Sequence, residues 1–281
     1  MKKILVDSGC DLMCIENIGE GIMYDRVPLK ILMGDKEFVD DENLDVAQMI
    51  EEMYAYQGKT SSACPSPDEW AEHFREADEA YVMTITGTLS GSHNSAMVAK
   101  HMVEEEDPTK KIYVLDTLSA GMEMALLVEK LHELLKAGTP FEEVCKQMDD
   151  YCENHTRLVF VLYSIENLVK NGRVSRIAGM AAGILGLNVV GRASEVGEIG
   201  PIAKTRGKKK TAKTVLDEME QQGYHGGKVI ISHCQNPDGV EMIKEMISAK
   251  YDNVIFKSME TRGLCSYYAE RNGMRSGYEV N

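Results

Sequence analysis

Apolar positions along this chain fall alternately into short continuous runs and into stripes of helical spacing. Residues 3–6 form a short apolar run that ends at Asp7 and predicts a first strand. Residues 27–33 alternate, which predicts an edge strand or hairpin arm with Pro28 near its start. Helical spacing follows over 46–56 and again over 67–77, the second behind a Ser66-Pro67 start signal. Residues 80–85 read as a buried strand, 90–104 as a helix, 112–115 as a strand and 122–136 as a helix. This βαβα rhythm predicts a parallel sheet with helices on its faces.

The rhythm then changes. A helix over 141–154, a strand over 158–161 and a short helix over 165–171 ended by Gly172 are followed by an uncharged, glycine-rich block, 177–190. Residues 196–201 look like a hairpin, and 208–222 like a charged amphipathic helix. A strand over 229–233, a helix over 239–249 and a strand over 253–259 complete the pattern. The expected architecture is α/β in two domains, 1–163 and 164–281, each a mainly parallel sheet flanked by helices. No repeat or low-complexity segment interrupts it.

Composition narrows the function classes. With 281 residues and 43% hydrophobic content, the chain can bury real cores. Its net charge of -14 argues against general nucleic-acid binding and against anionic lipid surfaces. The block 177–190 is shorter than the ~18 residues a membrane span needs, and the N-terminal apolar run is too short for a signal peptide. The seven cysteines are odd in number and include no CxxC pair, so reduced thiols in a cytoplasm are expected, with no metal site or disulfide framework.

Three polar clusters stand at the ends of predicted strands. In Asp7-Ser8-Gly9-Cys10-Asp11-Leu12 the aspartates could bind a cation, but such a loop more often fixes its own turn and caps a helix. In Thr60-Ser61-Ser62-Ala63-Cys64-Pro65-Ser66-Pro67 the hydroxyls could donate to an anion or cap the next helix. Cys64 as a nucleophile would need a base that the sequence does not place. In Thr86-Gly87-Thr88-Leu89-Ser90-Gly91-Ser92-His93, backbone N–H groups at a helix start and the serine hydroxyls form an anion cradle. It lacks the GK[ST] element of a P-loop, and His93 is a base for Ser90 only if the two face each other. Arg173, after Gly172, reads from its residues alone as a solvated loop arginine; turned inward it must find an anion.

Taken in order, these segments resemble the DegV family. The resemblance rests on the loop after the first strand, Val27-Pro28-Leu29, the hydroxyl-Pro-Ser-Pro segment and Leu89-Ser90-Gly91-Ser92. It continues through Asp116-Thr117-Leu118-Ser119-Ala120-Gly121-Met122 and Asn171-Gly172-Arg173-Val174-Ser175, and so spans nearly the whole chain. The family implies a two-domain fold holding a long-chain fatty acid between the domains. Its members are carriers, not enzymes, and present the carboxylate to a bacterial fatty-acid kinase.

By resemblance, Ser62 and Ser90 correspond to the hydroxyls that hold the carboxylate, with Thr60, Ser61 and Gly91 beside them, and Arg173 to an arginine near the head group. Two segments depart from the family pattern. Where relatives carry a histidine loop near the C-terminus, this chain reads Gly263-Leu264-Cys265-Ser266-Tyr267-Tyr268, which puts Tyr268 near the histidine position. After Leu187, where a Lys-Pro pair is common, it reads Asn188-Val189-Val190-Gly191-Arg192. The block 177–190 and the methionines offer flexible lining for an acyl tail, though each methionine alone reads as core. The basic run Arg206-Gly207-Lys208-Lys209-Lys210 fits either a kinase docking patch or a solvated helix start. Two alternatives are a carrier of another small amphipathic ligand, and a hydrolase or transferase using Ser90 or Cys64.

Overall fold

The computed structural model describes residues 1–174 and 186–280. Residues 175–185, which include most of the apolar block 177–190, lie outside the described residues.

The first sheet has four parallel strands in the order β2-β1-β6-β7, namely Ile22–Val27, Lys2–Asp7, Glu79–Thr84 and Lys111–Asp116. Its central runs are apolar on both faces because both faces are covered. On one side α2 (Pro67–Glu76) and α3 (Ser92–Glu106) pack Trp70, Phe74, Ala96 and Ala99 against Leu5 and Val82. A capping box between Ser66 and Glu69, with Pro67 in the first turn, starts α2 where the sequence signal placed it. On the other side lie α4 (Met122–Lys136) and α5 (Phe141–Asp150), which runs into a π-helical turn, Tyr151–His155.

α4 explains how the molecule is layered. Its first seven residues, Met122 to Val128, are all buried, including Glu123. A helix apolar nearly all round must be covered nearly all round. One flank of α4 meets Ile4, Val6 and Met83 of the first sheet, and the other meets Ile230 and Met259 of the second.

The second sheet has six strands in the order β10-β9-β8-β13-β11-β12. These are Ile199–Thr205, Asn188–Ala193, Thr156–Leu162, Met274–Glu279, Gly227–His233 and Val254–Glu260. Only β11 and β12 pair in parallel, so the expectation of a second mainly parallel sheet is corrected. The hairpin loop 194–198 reverses the chain between β9 and β10, and β13 enters between β8 and β11, antiparallel to both. β8 is a member of this sheet, so the expected division at residue 163 falls after its first strand.

β13 is hard to read from sequence because it carries Arg275, Ser276 and Gly277 in a central position. Gly277 is required there. A Cβ at that position would stand 2.4 Å from backbone atoms of Met122 and Glu123, so the N-terminus of α4 rests directly on the strand. The outer face of the sheet packs Val159, Val161 and Ile231 against α7 (Lys208–Gln221) and α8 (Pro237–Ser248). Leu158, Phe160 and Leu162 alternate to the opposite face, where they meet Leu168 of α6 (Glu166–Lys170).

A three-stranded antiparallel sheet, β4-β3-β5, completes the fold: Lys36–Val39, Lys30–Met33 and Thr60–Ala63. The single strand expected over 27–33 is split, since Pro28 lacks the N–H that would carry one ladder through. Ile31 and Met33 pack on Met49, Ile50 and Met53 of α1 (Val46–Ala55) and on Tyr267 of α9 (Gly263–Ala269).

Candidate functional site

The hydroxyl-rich segment expected as a turn begins as the edge strand β5, and its last hydroxyl, Ser66, caps the next helix as one of its two expected roles. Strand alternation puts Thr60 and Ser62 on one face. Thr60 Oγ1 lies 2.7 Å from the Tyr267 hydroxyl, and Ser62 Oγ lies 2.7 Å from the Tyr268 hydroxyl. Consecutive tyrosines on α9 therefore meet alternate hydroxyls of one strand.

Gly172 ends α6 in the left-handed region (φ 68°), and Arg173 N–H donates back to Leu168 O at 2.9 Å. That turn delivers Arg173 inward, so the solvated loop arginine suggested by its residues alone is corrected. Its Nε donates to Leu89 O (3.0 Å) and its terminal nitrogen to Asn171 O (2.9 Å), while the guanidinium lies 5.4 Å from the centre of the Tyr268 ring. Asn171 donates in turn to the Tyr267 hydroxyl at 2.8 Å. Burial pushes the Tyr268 phenol above its ordinary value, so it stays a neutral donor and acceptor near neutral pH.

Ser62, Ser90, Arg173 and Tyr268 stand together on the wall of one pocket. Thr60, Ser61 and Gly91 are not on that wall: Thr60 is tied to Tyr267, and Gly91 is the residue before α3, with Cys64 Sγ 3.0 Å from where its Cβ would be. Most of the remaining wall is apolar, with Thr86, Ser119, Glu198 and Arg275 as further polar members. Leu158, Phe160 and Leu162 of β8 and Leu168 of α6 supply one side, and Leu29, Ile85 and Leu118 the other. The free space is about 830 Å³, including its open mouth. Arg275, also on the wall, was missed by the sequence reading because its strand has no apolar periodicity.

The other chemistry-bearing residues have structural partners. Asp7 accepts from Gly9 N (3.0 Å), Ile85 N (2.9 Å) and the Ser92 hydroxyl (2.6 Å), which joins the β1 loop to the β6 loop and the start of α3. No helix follows the Asp7 loop, so it fixes turns without capping one. His93 Nδ1 faces Thr84 Oγ1 at 3.3 Å, whereas Ser90 Oγ accepts from Ser92 N at 3.2 Å. Asp25, His73 and Glu76 are grouped closely enough to hold a cation, but the Lys3 ammonium already sits 2.7 Å from Asp25 and 2.5 Å from Glu76.

Asp40 joins the small sheet to α9. It accepts from Gly263 N and Leu264 N, both at 2.8 Å, with Arg26 4.0 Å away. Burial pushes the carboxyls of Asp7 and Asp40 up to about 6, against the hydrogen bonds and the Arg26 charge that pull them down. Each proton is then held more tightly in the folded chain than in the unfolded one. The stability this contributes is full below about pH 4 and is lost as pH rises through about 6. Relief of the self-repulsion of a net charge of -14 acts in the same direction. The melting temperature should therefore rise between about pH 7.5 and about pH 5, and Asp40→Asn should narrow the rise. Calorimetry over that interval checks this; a steady fall toward acid would contradict it.

An α/β fold of three sheets around a mainly apolar pocket with hydroxyls and an arginine at one place defines a small-molecule binding protein for an amphipathic ligand. The chain belongs to the DegV family: the model for "Uncharacterised protein, DegV family" matches residues 1–273. A DegV domain-containing protein of Streptococcus pyogenes serotype M1 is 46% identical over 278 residues, covering 99% of each chain. Among solved structures, the fatty acid kinase B3 protein of Streptococcus pneumoniae, loaded with linoleic acid, is 44% identical. It superposes with a TM-score of 0.96, covering 100% of this chain and 99% of that one. A DegV family protein of Eubacterium eligens loaded with heptadecanoic acid gives a TM-score of 0.94 at 37% identity, with 100% of each chain covered.

Proposed function

We propose that this protein is a carrier, not an enzyme, that holds a long-chain fatty acid in the pocket and presents its carboxylate to a partner fatty-acid kinase. The observation that carries the reading is the convergence of Ser62, Ser90, Arg173 and Tyr268 on a mainly apolar wall. A carboxylate leaving water needs charge-assisted hydrogen bonds, and two hydroxyls, a phenol and a guanidinium can supply them. The tail supplies the driving force. At ~0.8 kcal/mol per buried CH₂, a sixteen-carbon chain gains on the order of ten kcal/mol before ordering costs. Relatives bearing linoleic and heptadecanoic acids support the ligand class, and the kinase name of the pneumococcal relative supports the partner.

The non-enzymatic part is supported by the partners of the candidate nucleophiles. His93 is turned to Thr84 and away from Ser90, and Cys64 Sγ has Ser95 Oγ at 4.0 Å as its hydrogen-bonding neighbour. Native mass spectrometry of protein purified from bacterial cytosol should show a mass excess matching one fatty acid. Delipidated protein should rebind palmitate, and adding the kinase and ATP should yield the acyl phosphate. A clean unliganded mass together with no uptake of palmitate or oleate would remove the proposal.

A further inference from the structure

Phe160 lines the pocket, and in the register of β8 and β9 it stands directly opposite Gly191. Directly opposed residues share a face, so Gly191 is on the pocket face too, between Val189 and Ala193 of the same strand. Its backbone is ordinary strand with no left-handed φ, so no turn requires a glycine there. The ring of its neighbour does require one. A Cβ built on Gly191 would stand 2.5 Å from Phe160 Cε2 and closer still to Cζ. Carbon atoms in contact need about 3.5–4.0 Å. The outer edge of the Phe160 ring therefore occupies the space that a side chain at 191 would fill.

The other sides of Phe160 on this face are taken. Arg275 of β13 stands opposite it across the far edge of β8, with its guanidinium bonded to Cys265. Leu158 and Leu162 flank it on the same face along β8 and line the pocket with it. A ring pushed off Gly191 has one direction left, away from the sheet, and that direction is the pocket. A phenyl ring offers a carboxylate no hydrogen bond, so the part of an amphipathic ligand that crosses it is hydrocarbon.

We infer that Gly191 is a positioning residue for acyl-chain length: it leaves the Phe160 ring a seat in β9 and so keeps the ring out of the space of the tail, and Phe160 is the residue through which the length limit is set. The inference rests on the fatty-acid reading of the pocket and names the pair that fixes which chain lengths the pocket admits. Each methylene denied a place costs about fourfold in affinity, and a displaced ring excludes several.

The test compares dissociation constants of delipidated protein for myristic, palmitic, stearic and arachidic acids. In Gly191→Ala the longer acids should lose about tenfold or more relative to myristic acid. The double variant Gly191→Ala/Phe160→Leu should recover them, because the smaller side chain no longer needs the seat. Phe160→Leu alone should shift the best-bound acid toward longer chains. An equal loss for all four acids in Gly191→Ala, or a double variant as impaired as the single one, makes the glycine a matter of sheet packing and overturns the inference. An unchanged length profile in Phe160→Leu overturns it as well. The added Cβ also comes within 2.8 Å of Gly200 O, which costs stability, so Phe160→Leu decides alone if Gly191→Ala does not fold. If the wild type binds none of the acids, the carrier reading fails and takes this one with it.

Discussion

Asp40→Ala should lower folding stability by about 3–5 kcal/mol, the cost expected when one partner of a buried charged pair is removed. Asp40 is fully buried, and its two oxygens hold the first two N–H groups of α9. Removing the carboxylate leaves those donors and the nearby Arg26 guanidinium without it. The damage should reach the pocket as well, because α9 carries Cys265, Tyr268 and Ala269 on the pocket wall. Urea unfolding of wild type and variant measures the first effect and palmitate titration the second. A loss below about 1 kcal/mol would mean that solvent replaces the carboxylate, contrary to its burial.

Arg173→Ala should weaken palmitate binding by roughly ten- to a hundredfold, the factor for one charge-assisted hydrogen bond to a carboxylate. The fold should tolerate the change better than it tolerates Asp40→Ala. Arg173 spends two of its nitrogens on carbonyls of Leu89 and Asn171, both loop-side contacts, and fills no apolar core. The discriminating measurement sets the methyl ester of palmitic acid beside the free acid. The variant should lose affinity for the acid and little for the ester. Equal losses for both would show that Arg173 shapes the wall without meeting the head group.

Much of the first sheet was legible because βα alternation repeats the same two periods, and Ser66-Pro67 announces a helix by its own chemistry. The second sheet was only partly legible. β8 could be seen as the run Leu158-Val159-Phe160-Val161-Leu162, but its partner β13 could not, because Gly277 answers to the backbone of α4 and to no pattern of its own. The direction of pairing was also invisible, since continuous apolar runs suit parallel strands and doubly covered antiparallel ones equally.

At the site, Ser62, Ser90, Arg173 and Tyr268 were reached by carrying positions over from the family resemblance, and the structure gathers them on one wall. Thr60 and Ser61 were grouped with Ser62 because all three carry hydroxyls. Strand alternation turns Ser61 to the other face, and Thr60, on the same face as Ser62, is taken up by Tyr267; neither is visible until β5 is known to be a strand beside α9. Arg275 had no motif to announce it. Its significance comes from burial and register, which belong to the folded state.

The placement of α4 has a consequence for how the molecule comes apart. One helix serves as core for both large sheets, with Ile4 and Met83 on one flank and Ile230 and Met259 on the other. Severing the chain between the sheets would leave either half with an apolar face open to water and no partner of its own. Unfolding should therefore be shared: neither sheet can melt without stripping the cover from α4, and heat or denaturant should meet a single cooperative transition. A bound lipid wedged against both halves would shift that same transition upward by mass action.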